Sequence, residues 1–306
     1  MKVIVLGASG FIGLPVAQAL SRAGHVVYGV TRSENKAKLL AAEEIIPIVA
    51  DYSDPSPWLG HIPTLDAIID TVGGTADLRT FSGALVDNVV SAVRAHRPQG
   101  CAKLTFIATS GTWVHGENRN EVVTDTTPIT NPAEVVAWRP ALEQRVVSEP
   151  SFNGIVIRPS LLYGKSASLF APLFQLASEG KVAWYGTPGG RYATVHCDDL
   201  ADVYVRAAER GQLVRGNIFD ATNSQTDSVD DFLTKLVEVS GAQGPFEYLK
   251  PNNAYEVALT TTTLIRPYLA KALLDWTPKK AGLVDGLSTW YSAWLATQET
   301  KGAKTE

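Results

Sequence analysis

The stretch VIVLGASGFIG, residues 3–13, decides the fold of this 306-residue chain. Four apolar residues are followed by three regularly spaced glycines, and an amphipathic segment begins at the last of them. Such glycines permit a tight turn from a buried strand into a helix, and they let backbone amides approach a diphosphate at the positive helix end. The residues of this turn expected to contact a dinucleotide are Gly7, Ser9, Gly10, Phe11, Ile12 and Gly13.

The remainder of the first half alternates short apolar runs with amphipathic segments. This alternation is typical of a parallel sheet that is covered by helices on both faces. The predicted strands are 3–6, 26–30, 47–49, 67–70, 104–108 and 154–157, and the predicted helices are 13–22, 33–42, 78–96 and 134–148. The pattern therefore predicts an α/β fold, a Rossmann-like doubly wound parallel sheet.

The alternation weakens after about residue 160, where turn-rich segments such as YGTPGGRY, residues 185–192, appear. We expect a Rossmann domain over 1–163 and about 194–242, and a smaller C-terminal substrate-binding lobe over about 164–193 and 243–298. Asp198 or Asp199 is expected to cap a helix that returns the chain to the first domain. Residues 299–306 are polar and are expected to form a flexible tail.

Composition excludes several classes of partner. The net charge is −4 and the isoelectric point is about 5.8, so the sequence shows no basic footprint for nucleic acid or for an anionic membrane surface. Two cysteines, Cys101 and Cys197, are expected to be free thiols in a reducing compartment, and no ligand cluster with metal spacing occurs. We expect a cytoplasmic protein that binds a small molecule.

Arg32 follows the second predicted strand, at the position that selects between nicotinamide cofactors. An acid there would bind a ribose 2′-hydroxyl, whereas a guanidinium suits a 2′-phosphate. Arg32 therefore favours NADP(H) over NAD(H), with Ser33 and Lys36 as helpers. Asp51 and Thr71 follow the third and fourth strands, at the sheet edge where ligands bind.

Several ordered segments together resemble the extended branch of the short-chain dehydrogenase/reductase superfamily, which includes nucleotide-sugar epimerases, dehydratases and dihydroflavonol-reductase-like enzymes. Besides the glycine turn, these are TSGTWVHG at 109–116, RPSLLYG at 158–164, TVHCDDLADVYVRAAE at 194–209 and LAKALLDWTPK at 269–279. The resemblance covers nearly the whole chain. It implies cofactor contacts, on the adenine side and on the nicotinamide side, from Asp51, Tyr52, Thr109, Arg139 and Pro159.

The catalytic set of that family is only partly present. A tyrosine and a lysine four residues apart are commonly followed, four residues later, by a glutamate, and Glu143 sets this register. Arg139 then stands at the lysine position and Val135 at the tyrosine position, and the sequence has no tyrosine between residues 53 and 162. Arginine can keep a ribose contact and a positive charge, but it is a poor proton carrier.

The hydroxyl that orients the substrate is also displaced. In the register set by His115 and Gly116, the usual serine position holds Gly111, which leaves Ser110 or Thr112 as substitutes. We consider Tyr163 and His115 as replacement acids, and for each of them a packing role is the alternative. The residues predicted to line an apolar substrate pocket are Trp113, Trp138, Trp184, Tyr192 and His196.

Three functions are compatible with these observations. The first is an NADP(H)-dependent oxidoreductase acting on a carbonyl or activated double bond of a small, mostly apolar metabolite. The second is a redox-neutral isomerase, epimerase, dehydratase or cyclase that retains its cofactor, and the third is a non-catalytic NADP(H)-sensing regulator. A homodimer through the helices at 78–96 and 134–148 and a monomer both remain open.

Overall fold

The computed structural model describes residues 1–52, 54–74 and 77–302. The strands are β1 Lys2–Leu6, β2 Val26–Thr31, β3 Ile46–Val49, β4 Ala67–Asp70, β5 Thr105–Thr109, β6 Asn118–Val123, β7 Asn153–Pro159, β8 Leu161–Tyr163, β9 Ala183–Tyr185, β10 Arg191–Tyr192, β11 Thr194–His196, β12 Ile218–Ala221, β13 Asp227–Ser228, β14 Glu247–Leu249 and β15 Thr263–Ile265. The α-helices are α1 Gly13–Arg22, α2 Glu34–Ala42, α3 Ser56–Leu59, α4 Leu78–His96, α5 Arg139–Ser148, α6 Ala171–Ser178, α7 Cys197–Glu209, α8 Val229–Ser240, α9 Ala254–Leu259, α10 Tyr268–Leu274 and α11 Leu287–Gly302.

A seven-stranded parallel sheet in the order β12-β7-β5-β4-β1-β2-β3 forms the centre of the molecule and confirms the predicted fold class. The chain order reverses beside β1, whose last residue, Leu6, is paired with Val30 on one side and Asp70 on the other. Ligands of open α/β sheets bind at the carboxyl ends of the strands next to such a reversal. The glycine turn lies at this point.

The sheet is buried on both faces, as the apolar strand sequences predict. One face packs against α1 and α7, where Leu20, Leu200 and Tyr204 belong to a single core cluster. The other face packs against α4 and α5, where Val89 and Val146 join Phe106 of β5. The two helix layers hold the carboxyl ends of β1, β4 and β5 in fixed positions below the site.

The smaller lobe has its own core, and its boundary differs from the prediction. We expected α8 to belong to the Rossmann domain, but its apolar face, with Phe232 and Leu236, packs in the lobe core with Phe174 and Trp294. In the other direction, Trp276 packs into the core of the Rossmann domain. An amphipathic stripe shows that a helix face is buried but does not show which neighbour buries it.

The C-terminal helix α11 continues to Gly302, past residue 299 where we expected a flexible tail to begin, and residues 303–306 lie outside the described part. Within the described ranges, every helix is too short or too polar to cross a lipid bilayer.

Candidate functional site

The turn between β1 and α1 has the shape that a diphosphate requires. Gly7 has a φ angle of +78°, in the left-handed region, and its carbonyl oxygen accepts a hydrogen bond from the Gly10 amide at 2.8 Å. A Cβ atom on Gly13 would lie 2.1 Å from the Gly7 oxygen, so a larger residue cannot occupy this position. The first amides of a helix lack intrahelical partners, so those at the start of α1 are available to phosphate oxygens.

Arg32 lies beside this turn, directly after β2. Its guanidinium carbon is 5.0 Å from the centre of the Tyr52 ring, and the side chain is exposed. Burial raises the pKa of Tyr52, with Arg32 opposing the shift, so the phenol stays neutral at physiological pH. The Ser9 and Thr31 hydroxyls share a hydrogen bond of 2.9 Å, which ties the glycine turn to the end of β2.

Two other residues predicted to contact the cofactor, Ser33 and Thr71, use their hydroxyls in hydrogen bonds with the protein backbone. The Ser33 hydroxyl caps α2 by accepting from the Lys36 amide at 3.4 Å, and Thr71 donates to the Leu6 carbonyl oxygen at 2.6 Å. The Ser33 hydroxyl therefore stabilises the start of α2, and the Thr71 hydroxyl holds the end of β1, where the glycine turn begins. Asp51 is exposed next to Tyr52, at the predicted adenine side.

The helix that carries Arg139 begins later than predicted. The chain passes through a 3₁₀ turn at Glu134–Val136, and α5 begins at Arg139 with Pro140 in its first turn. Proline has no amide hydrogen and its ring conflicts with the preceding helical turn, so a helix cannot run through 134–148 as we expected. Val135 and Arg139 consequently lie on different elements, and valine cannot carry the proton that the tyrosine of the family would carry.

Arg139 is held at the wall of a cleft. One of its terminal nitrogens, Nη1, donates to the Thr109 carbonyl oxygen at 3.1 Å, and its guanidinium carbon lies 4.7 Å from the centre of the Trp138 ring. Desolvation lowers the pKa of Arg139, while Asp70 and Glu143 oppose that shift. The Arg139 guanidinium is therefore partly buried and keeps its positive charge.

The cleft has a volume of about 190 Å³ and lies between the carboxyl ends of β5 and β7 and the start of the small lobe. Six predicted site residues line it, namely Ile12, Ser110, Thr112, Trp113, Arg139 and Pro159. Four aliphatic residues that we did not predict also line it, Val136, Leu161, Leu162 and Leu169, together with Gly111 and Ser160. Of the described lining residues, Arg139 is the charged one, so the cleft is largely apolar.

Ser110 is the polar feature of this apolar cleft that lacks a partner. Its amide donates to the Ile157 carbonyl oxygen at 2.8 Å, which fixes the turn against β7. Its hydroxyl oxygen is buried and has no hydrogen-bond partner among the described residues. A buried unsatisfied hydroxyl costs about 1–3 kcal/mol, so such a group marks a position where a ligand atom is expected.

His115 does not line the cleft that the described residues form, which corrects its prediction as an acid. Its Nε2 lies 2.8 Å from Oδ2 of Asp220, and both side chains are buried. Asp220 in turn faces Arg158, whose Nη1 is 3.6 Å from Oδ1 of the carboxylate. His115 therefore anchors the 3₁₀ turn at Thr112–His115 to β12.

Tyr163 and His196 are also engaged elsewhere. The Tyr163 hydroxyl donates to the Ala281 carbonyl oxygen at 2.6 Å and accepts from Asn223 at 3.2 Å, and burial raises its pKa. The His196 ring caps α7 by accepting from the Asp198 amide at 3.1 Å, and burial lowers its pKa to about 4. Both residues pack where the lobe meets the Rossmann domain, so the geometry supports the packing alternative for each.

Two of the aromatic residues predicted in the pocket belong to the core of the lobe. Trp184 and Tyr192 are buried around Phe170, and the Tyr192 hydroxyl donates to the Tyr185 carbonyl oxygen at 2.6 Å. Large aromatic side chains form cores as readily as pockets, and the sequence does not distinguish the two. Trp113 lines the cleft as predicted.

A buried polar group behind the cleft was missed by the sequence analysis. Asp70 ends β4 and accepts the Val72 amide at 3.0 Å, and burial raises its pKa to about 6. The Thr109 hydroxyl donates to the Asp70 carbonyl oxygen and lies 2.6 Å from the Tyr204 hydroxyl. An acid at the end of an otherwise apolar strand was the signal that could have identified this group.

The start of α7 brings ligand atoms of His196, Cys197 and Asp198 within 4.8 Å of one another. Asp198 is already paired with Lys165 at 2.7 Å and with Lys280 at 3.7 Å. Burial raises the pKa of Cys197 to about 11, so its thiol stays protonated at neutral pH. Because the Asp198 carboxylate is already engaged by two lysines, we assign no metal function to this group.

The glycine turn, the parallel sheet and the cleft beside Arg139 define a nicotinamide-cofactor fold. The profile of the NAD dependent epimerase/dehydratase family matches residues 3–221, and the chain belongs to this family.

Curated relatives of this chain include two reductases. The chain is 24% identical over 272 residues to the 2-alkyl-3-oxoalkanoate reductase of Stenotrophomonas maltophilia, covering 84% of this chain and 81% of the relative. It is 26% identical over 253 residues to the 4-hydroxy-2-methyl-3-oxo-4-farnesyl-3,4-dihydroquinoline-1-oxide ketoreductase of Stigmatella aurantiaca, covering 79% of this chain and 74% of the relative.

Among solved structures, the chain is similar to the UDP-glucuronic acid 4-epimerase of Bacillus cereus in complex with UDP-glucuronic acid and NAD. The TM-score is 0.75 at 20% identity, and the match covers 97% of this chain and 100% of the other. This likeness establishes the shared fold.

Proposed function

We propose that this protein is an NADPH-dependent reductase of a carbonyl or activated double bond on a small, mostly apolar metabolite. The observation that carries the proposal is the Ser110 hydroxyl, which is buried in an apolar cleft at the carboxyl end of the sheet and has no hydrogen-bond partner in the part of the chain that the structure describes. A hydroxyl in this position can donate to a substrate oxygen and orient the group that is reduced.

The choice of NADPH rests on Arg32. Its guanidinium is exposed, stacked on Tyr52 and placed beside the glycine turn, which suits a 2′-phosphate on the adenosine ribose. The start of α1 would hold the diphosphate, and Arg139 would contact the nicotinamide ribose. When bound, the cofactor supplies the hydride.

The choice of an apolar substrate rests on the aliphatic wall formed by Val136, Leu161, Leu162 and Leu169. A nucleotide sugar carries a second diphosphate and many hydroxyls. Against an aliphatic wall these polar groups would lose their hydrogen bonds to water without gaining new ones. The names of the two reductase relatives also describe oxo compounds that bear alkyl or farnesyl groups.

The proton for the reduced group has to reach a cleft without the usual phenol. Since His115 and Tyr163 are bonded elsewhere, we assign the delivery to water that hydrogen-bonds to Ser110 or Thr112. A positioned general acid contributes about 10²- to 10⁴-fold in rate, so we expect a slow reductase.

The test is NADPH oxidation with a panel of apolar ketones, 3-oxo acids and enones, with product identified by mass spectrometry. Turnover of apolar substrates with NADPH in preference to NADH supports the proposal. Conversion of a substrate without net NADPH consumption would favour the redox-neutral alternative. Tight NADPH binding with no conversion of any substrate would favour the regulator.

A further inference from the structure

Arg139 carries its positive charge into a partly buried cleft, and its neighbours determine how that charge is balanced. Arg139 donates a hydrogen bond to the Thr109 carbonyl oxygen and its ring contact is with Trp138, so both of these partners are uncharged. The carboxylates that attract it are those of Asp70 and Glu143. A nearby carboxylate attracts such a partly desolvated cation and offsets part of its desolvation cost.

Glu143 is already committed to another cation. Both of its carboxylate oxygens bind Arg158, at 3.0 and 2.6 Å, and the two side chains are buried together. Its negative charge is therefore largely compensated where it stands. Asp70, at the end of β4, is joined to Arg139 through Thr109, whose carbonyl oxygen accepts from Arg139 and whose hydroxyl donates to the Asp70 carbonyl oxygen.

Asp70 is fixed in this position by the elements around it. Its Oδ1 accepts the Val72 amide at 3.0 Å, and its own carbonyl oxygen accepts from the Thr109 hydroxyl. The charged or titratable groups that face it are Arg139 on α5 and Tyr204 on α7. Burial raises the pKa of Tyr204, so this phenol stays neutral and Asp70 is the neighbour of Arg139 that changes charge near neutral pH.

We propose that Asp70 is the countercharge of Arg139, and that its ionisation sets the relative affinity of the cleft for oxidised and reduced cofactor. The inference rests on the proposed function. The two cofactor forms differ by one unit of charge, because the oxidised nicotinamide ring is cationic. With Asp70 ionised, the cleft accepts this cation, whereas with Asp70 protonated the Arg139 charge repels it.

The experiment measures the dissociation constants of NADP⁺ and NADPH by fluorescence or calorimetry between pH 5.5 and 8 for the full chain. The adenosine 2′-phosphate also titrates in this range, but it is common to both forms and cancels in their ratio. We expect the ratio of the NADP⁺ to the NADPH dissociation constant to fall about fivefold as pH rises, the size of one unit charge acting through a partly solvated medium.

Asp70→Asn keeps the acceptor for the Val72 amide and removes the charge. We expect its ratio to stay at the low-pH value of the wild type throughout the range. Asp66→Asn is the matched control, because Asp66 precedes the other end of the same strand and is exposed. We expect its ratio to follow the wild type.

The wild-type titration tests the inference even if Asp70→Asn does not fold. A ratio that is independent of pH in the wild type, or that changes with pH equally in folded Asp70→Asn, would overturn the inference and leave the reductase proposal standing. Failure of both NADP⁺ and NADPH to bind the wild type would overturn the proposed function and the inference together.

Discussion

The two guanidinium nitrogens Nε and Nη2 of Arg158 lie 3.0 and 2.6 Å from the two carboxylate oxygens of Glu143, and both side chains are buried. This pair joins β7 to α5, the helix that begins at Arg139. Asp220 and His115 extend the pair towards the turn that carries Thr112. A buried ionic group thus connects the two walls of the cleft.

Removing one partner of this pair should be strongly destabilising. We expect Glu143→Leu to lower the free energy of unfolding by about 3–5 kcal/mol, because Arg158 would be left buried without its principal carboxylate. Chemical denaturation checks this value. Arg145→Met is the control, since the exposed pair of Arg145 with Asp87 should contribute less than about 1 kcal/mol. Equal losses in the two variants would contradict the assignment.

The glycine turn should not tolerate a methyl group at its third glycine. A Cβ on Gly13 would lie 2.1 Å from the Gly7 oxygen and 2.6 Å from the Thr71 hydroxyl oxygen. We expect Gly13→Ala to lose measurable NADPH binding and stability. Gly83→Ala in α4 is the control, because among the described residues no atom beyond its chain neighbours and the backbone of its own helix lies within 4 Å of its added Cβ, and it should raise the stability by up to about 1 kcal/mol. NADPH affinity and thermal unfolding are measured for both.

Arg32 should determine the preference for the phosphorylated cofactor. We expect Arg32→Ala to weaken NADPH binding by about 10- to 100-fold, the size of lost charge-assisted hydrogen bonds, and to change NADH binding by much less. Arg22→Ala, an exposed cation at the other end of α1, is the control. A parallel loss for NADPH and NADH in Arg32→Ala would mean that Arg32 does not contact the 2′-phosphate.

Only some of the structural features behind these predictions could be predicted from the sequence alone. The glycine turn and the predicted strands depend on near neighbours in the chain, so local pattern was sufficient to place them. The split before Arg139 also has a local cause, Pro140, which our helix prediction ignored. The positions of Asp70, Tyr163 and His196 depend on contacts between distant segments, such as Tyr163 with Ala281, and no periodicity records such contacts.

Ser110 should show opposite effects on stability and on turnover. Its hydroxyl has no hydrogen-bond partner among the described residues, so Ser110→Ala should leave the midpoint of thermal unfolding unchanged or raise it. If the hydroxyl orients the substrate, kcat/KM should fall by about 10- to 100-fold with NADPH affinity unchanged. A destabilised variant with normal turnover would show that the hydroxyl has a structural partner instead.

The buried Asp70 should make the stability of the protein depend on pH in an identifiable window. Its folded pKa is raised to about 6 by burial, whereas an unfolded aspartate titrates near pH ~4. The folded state therefore holds this proton more tightly, and the contribution of Asp70 to the free energy of unfolding falls as pH rises between these two values.

Asp70→Asn removes this dependence. We expect the variant to gain about 2 kcal/mol over the wild type at pH 7.5 and little at pH 4, as measured by urea unfolding at both pH values. A gain of the same size at pH 4 and pH 7.5 would mean that the carboxyl group does not ionise in the folded protein at neutral pH, and a loss at pH 7.5 would mean that its attraction to Arg139 outweighs the cost of its burial.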